Sequence, residues 1–257
     1  MPTPALLLTI LLLAFLAGMA WYWFFRRRRV QSLAIGQRAL LAEKVAFYRR
    51  LSEIDKKRFE QSIAQFLDEV TITGVETEVT EADRLLVAAS AVIPLFGFPG
   101  WRYRNLNEVL LYPNTFDEDY QVKAAQRNII GMVGSGAMNR MMILSQPALR
   151  ESFAHPERRQ NVGIHEFIHL LDKADGATDG MPEVLIPHEY VMPWLKLMQH
   201  EIEEIKGRDS DINPYGATNE AEFLSVAAEY FFSQPEKLER NHPELYEMMS
   251  RIFRQEP

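Results

Sequence analysis

Asn161-Val162-Gly163-Ile164-His165-Glu166-Phe167-Ile168-His169-Leu170-Leu171-Asp172 is the stretch on which the reading of this chain turns. On an α-helix, positions i and i+4 share a face, so His165 and His169 can reach the same metal ion. Glu166, beside the first His, is within reach of a water on that metal and can take its proton. Two imidazoles and a carboxylate base form the core of a zinc hydrolase, typically a peptidase. The plainer alternative is a half-exposed polar helix face. Ile164, Phe167, Ile168, Leu170 and Leu171 argue against it, because they give the helix the apolar surface of a buried element. Asn161 is the expected N-cap and Gly176 the expected stop.

Toward the N-terminus the composition changes. Residues 5–25 contain no charged side chain, and at about 1.5 Å per helical residue they suffice to cross a bilayer core of roughly 30 Å. Trp21, Tyr22 and Trp23 stand where an interfacial aromatic belt belongs, and Arg26, Arg27, Arg28 and Arg29 follow soon after. The positive-inside rule then puts the remaining chain in the cytoplasm, at the inner membrane. A cleaved signal peptide is the competing reading, with Ala17-Gly18-Met19-Ala20 as its small-residue site. The lack of basic residues before the apolar run, and the four Arg after it, favour an uncleaved transmembrane anchor. The expected layout is an anchor with its basic stop over 1–29, a helical stalk over 30–50 and a metallopeptidase domain over 51–257.

With 257 residues, 47% of them hydrophobic and 25% charged, the chain can build an ordinary globular core. It has no Cys, which excludes disulfides and thiolate metal sites and leaves His and carboxylates as the ligands available. Lys and Arg number 28 against 35 Asp and Glu. Once Arg26–Arg29 are set aside as a topology signal and a contact for anionic headgroups, the remainder is more acidic still. That sign is opposite to the one a nucleic-acid binder carries. It suits basic peptide substrates, or plain solubility.

Residues 31–69 read as helical, with one apolar stripe at Leu40, Leu41, Val45, Tyr48 and Leu51 and a second at Phe59, Ile63, Phe66 and Leu67. Ser52 followed by Asp55 marks a helix start between them. Thr80 opens another helix through Leu85, Leu86, Ala89 and Ile93, closed by Pro94 and Gly97. Glu108–Tyr112 and Met141–Ser145 read as strands, the latter entered through Gly134-Ser135-Gly136. A strand just before a zinc-binding helix is commonly an edge that holds substrate backbone by strand addition; the alternative is an ordinary sheet strand. Beyond the polar loop 172–187, helices are expected over about 191–206, from Thr218 or Asn219 to Phe232, and over about 243–253. The sum is an α+β domain, mostly helical, with a small sheet.

A catalytic zinc usually has three protein ligands and one open position. Asp175, six residues after His169, is one candidate, although that arrangement wants a Gly where Asp172 stands. Asn219-Glu220-Ala221-Glu222-Phe223-Leu224-Ser225-Val226-Ala227-Ala228-Glu229 supplies others. Glu222 and Glu229 are seven apart and share a face among apolar neighbours, whereas Glu220 points elsewhere. A capping-box role beside Asn219 would equally explain Glu222. A buried ion pair, or support of a ligand His, would explain Glu229. Spacing alone leaves the choice open.

Here the residues carry a resemblance. His165–His169, then Tyr215-Gly216-Ala217-Thr218-Asn219-Glu220-Ala221-Glu222-Phe223, then Glu229-Tyr230-Phe231-Phe232, resemble the MtfA (Mlc titration factor A) family of zinc peptidases. Tyr112-Pro113 and Ile143-Leu144-Ser145 add to the likeness, which covers roughly residues 50 to 257. The segment from Tyr215 to Glu222 is also similar to the metalloprotease domain of anthrax lethal factor. The resemblance implies a zincin-like fold and a zinc ion held by His165, His169 and Glu222. It further implies Glu166 as catalytic base and Tyr215 as donor to the oxyanion, with Asp172 or Glu229 orienting a ligand His. It implies peptidase activity and, as the alternative, sequestration of a cytoplasmic transcriptional repressor. Well-known family members lack the N-terminal anchor, so the substrate or regulator expected here lies at the cytoplasmic membrane face. His155, His188, His200 and His242 are left without a role.

Overall fold

The computed structural model describes residues 11–19, 21, 32–114, 131–133 and 140–257. It divides into two compact units, Met1–Ser32 and Leu33–Pro257. In the first, residues 11–19 are helical, and Leu11, Leu12, Leu13, Phe15, Leu16 and Met19 expose more than half their surface. Among the described residues no helix is long and apolar enough to cross a membrane. The rest of the 5–25 stretch read as an anchor lies outside the described residues, as do Arg26–Arg29 and Gly134-Ser135-Gly136.

The second unit begins with three helices, α1 (Ile35–Lys44), α2 (Ala46–Arg50) and α3 (Glu53–Glu69). Val45 interrupts the first two with extended backbone, and Ser52 caps the third by accepting from Asp55 N–H at 3.2 Å. Residues 33–50 do not stand apart as a stalk. Leu33, Leu41, Val45, Phe47 and Tyr48 are buried, and the Phe47 ring lies 5.7 Å from that of Phe59 on α3. The apolar stripe read as a stalk's face is core surface, because burying it against α3 removes it from water within the same unit.

Among the described residues four strands follow: β1 (Thr71–Gly74), β2 (Glu108–Tyr112), β3 (Gly131–Val133) and β4 (Met141–Ser145), ordered β1-β2-β4-β3. β1 and β4 flank β2 in parallel, and β3 pairs antiparallel with β4. Of the two readings left open for Met141–Ser145, a substrate-holding edge or an ordinary sheet strand, the pairing supports the second. β3 occupies that side through the pairs Gly131–Leu144, Met132–Ile143 and Val133–Met142, so the backbone groups of β4 are used within the sheet.

Between β1 and β2 runs α4 (Glu81–Leu95), opened by a capping box of Thr80 and Asp83 and buried along nearly its whole length. After β4 come α5 (Gln146–Ala154), α6 (Val162–Asp172), α7 (Val191–Gly207), α8 (Glu220–Ser233), α9 (Pro235–Asn241) and α10 (Pro243–Phe253). The strand ends at Ser145, and Pro147 sits in the first turn of α5, where its missing N–H costs nothing. α6 packs on α4 at Gly163. A Cβ there would stand 2.1 Å from Ser90 Oγ, so this approach requires glycine.

Candidate metal centre

α6 starts at Asn161, whose side-chain oxygen accepts from Ile164 N–H at 3.0 Å. It ends at Asp172, and a short 3₁₀ turn carries the chain to Gly176 at φ 105°. Phe167 sets the rotation of the helix, packing its buried ring 5.1 Å from Tyr103 and 5.7 Å from Phe66. The two His consequently face away from that aromatic cluster. Their ring centres lie 4.8 Å apart and their Nε2 atoms 3.1 Å apart.

α8 supplies the third group. Asn219 caps it, accepting from Glu222 N–H at 2.9 Å. The Glu222 carboxylate does not fold back to complete a capping box. One of its oxygens lies 3.0 Å from His165 Nε2 and 3.5 Å from His169 Nε2. One ligand atom from each of His165, His169 and Glu222 falls within 4.8 Å of the others, and no other such group occurs among the described residues. Ligands about 2.0–2.1 Å from a tetrahedral metal ion stand about 3.3 Å apart, so this donor set has the dimensions of a metal site.

Behind the ligands, Glu229 accepts from His165 Nδ1 at 2.7 Å, and its other oxygen accepts from Asn161 N–H. A carboxylate can only accept, so His165 keeps its Nδ1 proton and turns Nε2 toward the cluster. Of the two residues expected to orient a ligand His, Glu229 is the one hydrogen-bonded to it. Ser225 Oγ lies 3.4 Å from both His169 Nδ1 and His165 O. Sequence reasoning passed over Ser225, although the 222, 225, 229 spacing on one helix face was its signal.

Asp172 accepts instead from Gly180 N–H at 3.0 Å, and Trp194 Nε1–H donates to Gly180 O at 2.8 Å, so the pair folds back the loop after α6. Burial lifts the Asp172 pKa to about 6. Asp175 is exposed and accepts from Ala177 N–H at 2.9 Å and Glu183 N–H at 3.2 Å, away from the His cluster. Tyr215 lies on the 3₁₀ turn Pro214–Ala217, fixed by Asn213 Oδ1 accepting from its N–H at 3.0 Å. The residue is 53% exposed, with its ring centre 6.1 Å from that of His165. His155 lies 2.9 Å from Glu157, His188 and His200 are exposed, and His242 sits between two carboxylates.

As protein groups alone, these side chains are strongly coupled. Burial would depress the His165 pKa, but hydrogen bonds to Glu222 and Glu229 prevail and raise it to about 10. Burial also opposes ionisation of Glu222, yet its contacts with His165 and His169 hold its pKa at about 2. Glu166 is buried, and desolvation raises its carboxyl pKa against the pull of the two His. The Tyr215 phenol is raised by burial and by the charges of Glu222 and Glu166.

The chain that carries this half-buried His-His-Glu cluster is similar along its whole length to known proteins. An uncharacterized protein of Synechocystis sp. is 28% identical across all of this chain and 98% of its own length. The Mlc titration factor A proteins of Pectobacterium atrosepticum and Serratia proteamaculans are each 27% identical over 92% of this chain, and over 92% and 93% of their own lengths. The family pattern described as glucose-regulated metallo-peptidase M90 matches residues 21–254, and the chain belongs to that family.

Proposed function

We propose that this chain is a peptidase acting through a zinc ion held by His165, His169 and Glu222. The observation that carries the reading is the convergence of those three ligand groups, with Glu229 on the far nitrogen of His165. Bound there, zinc supplies a Lewis acid that lowers the pKa of water from 15.7 to about 7. Glu166 accepts the proton of the attacking water and returns it to the leaving amine. Its burial-raised pKa brings it nearer the working pH of such a base. Tyr215, whose phenol is protonated at neutral pH and is shifted further toward that form, donates its O–H to the oxyanion. A preorganised donor of that kind contributes about 3 kcal/mol. Glu166→Gln should retain zinc and lose hydrolysis of dye-labelled casein. Unchanged turnover in that variant would sink the mechanism.

Residues 5–25 are proposed to anchor the chain in the inner membrane, with Arg26–Arg29 keeping the domain in the cytoplasm. The exposed apolar side chains of the helical residues 11–19 support this. The chain should fractionate with membranes, and a chain starting at Leu33 should not; equal partitioning of the two would refute the anchor.

The name of the Mlc titration factor A relatives favours a second reading, in which the same fold sequesters a transcriptional regulator. Sequestration should survive Glu166→Gln, whereas a proteolytic role should not.

A further inference from the structure

Asp211 lies outside the metal cluster, four residues before Tyr215 on the stretch joining α7 to the tyrosine's turn. Its carboxylate draws side chains from all the segments that frame the site. Arg159 Nη1 donates to it at 3.0 Å, Tyr230 O–H at 3.0 Å and Asn241 Nδ2 at 3.0 Å. Lys237 Nζ stands 3.3 Å away, and His242 Nε2 lies 3.0 Å from its second oxygen. Arg159 is two residues before Asn161, the cap of α6, and Tyr230 follows Glu229 on α8. The other imidazole nitrogen of His242 lies 3.0 Å from Glu201 Oε2 on α7. Arg159 also donates to the Asp211 backbone carbonyl at 2.6 Å, and its guanidinium lies 4.7 Å from the Tyr230 ring centre. The Asp211 side chain is thereby tied to α8 through Tyr230, and its side chain and backbone carbonyl are both tied to Arg159 in the segment leading into α6.

We propose that Asp211 is a positioning residue that holds the Tyr215 turn against the His165–Glu222 cluster, with His242 as the titratable part of the lock. Its catalytic consequence rests on the peptidase reading above; its structural consequence does not.

The groups facing His242 are Glu201 from α7, Asp211, the Tyr230 ring of α8 with its centre 6.4 Å away, and Lys237 and Arg159 through Asp211. The nearby carboxylate of Glu201, then that of Asp211, raises the His242 pKa against burial. Burial works against the Asp211 carboxylate too, but its partners, His242 first, hold it at about 2. The contribution of His242 is therefore full below its unfolded pKa of about 6.5 and is lost as pH rises through the raised value. That of Asp211 is full above about 3.9 and is lost as pH falls toward its depressed value. The lock is strongest between those limits and opens on the alkaline side.

Hydrogen exchange of the backbone amides of residues 212–218 tests this in the full chain, alongside bound zinc and the rate of casein hydrolysis. Asp211→Asn should speed exchange in that segment by about tenfold, leave the α6 amides and zinc content unchanged, and lower kcat about tenfold with little change in KM. In the parent, protection corrected for intrinsic rate should fall on the alkaline side. His242→Gln should start loosened and show no such fall. It also serves as the deciding variant if Asp211→Asn does not fold. Unchanged protection at 212–218, or an increase spread equally through α6 and α8, would overturn the proposal. If the parent hydrolyses nothing, the peptidase reading fails, while the exchange pattern still decides the lock.

Discussion

Zinc binding to chelator-stripped protein should release one proton, and the pH dependence of that binding measures the surroundings of His165. With its pKa raised to about 10 by Glu222 and Glu229, His165 carries a proton on Nε2 at pH 7.5 that must leave before that nitrogen can hold metal. Each pH unit below the pKa costs about 1.36 kcal/mol, so the proton weakens zinc binding by about 3 kcal/mol at pH 7.5. Glu222, held at about 2, is ionised throughout and releases nothing. The apparent affinity should therefore rise about tenfold per pH unit between about pH 6.5 and 8.5. Glu229→Gln removes one of the two carboxylates that stabilise the proton, so the His165 pKa should fall and the slope flatten at the upper end. The assay is competition against a chromogenic chelator across that range, with calorimetry in two buffers of different ionisation enthalpy to count protons. A flat profile with no proton release refutes the reasoning. An unaltered slope in Glu229→Gln refutes the part given to Glu229.

Two further outcomes follow from the packing and the site. Gly163→Ala drives a methyl into Ser90, and since both helices are buried it should lower stability by about 1–3 kcal/mol, read as a lowered midpoint of thermal unfolding. An unchanged midpoint would mean that α4 and α6 are less closely apposed. Tyr215→Phe should keep zinc while lowering kcat by about 10²–10³-fold with KM little changed, because the phenol acts only as charge develops on the substrate. An equal loss in KM would assign Tyr215 to substrate binding instead.

The helix of the paired His was legible because three signals coincide there: the paired His themselves, the Asn161 cap and the helical period of Ile164, Phe167, Ile168 and Leu171. Glu222 was less so, since its position three residues after Asn219 fits a capping box as well as it fits a ligand. Only the approach of α8 to α6 separates the two. β1 went unread because Thr71-Ile72-Thr73-Gly74 directly follows a long helix, with only Val70 between them and no turn residue to announce the change. The packing of residues 33–50 was illegible for a different reason. The stripe of Leu41, Val45 and Tyr48 shows that a face is buried but not what buries it. The partners of Asp211 are drawn from residues 159 to 242, a long-range arrangement that local spacing cannot signal.

The most direct test of the account is the zinc content of the purified chain beside its Glu222→Gln and Asp175→Asn variants. The account requires about one zinc per chain, with affinity weakened by the Glu222 change and untouched at Asp175. Folded protein that retains no zinc, or that loses it only on changing Asp175, would contradict the His165–His169–Glu222 centre.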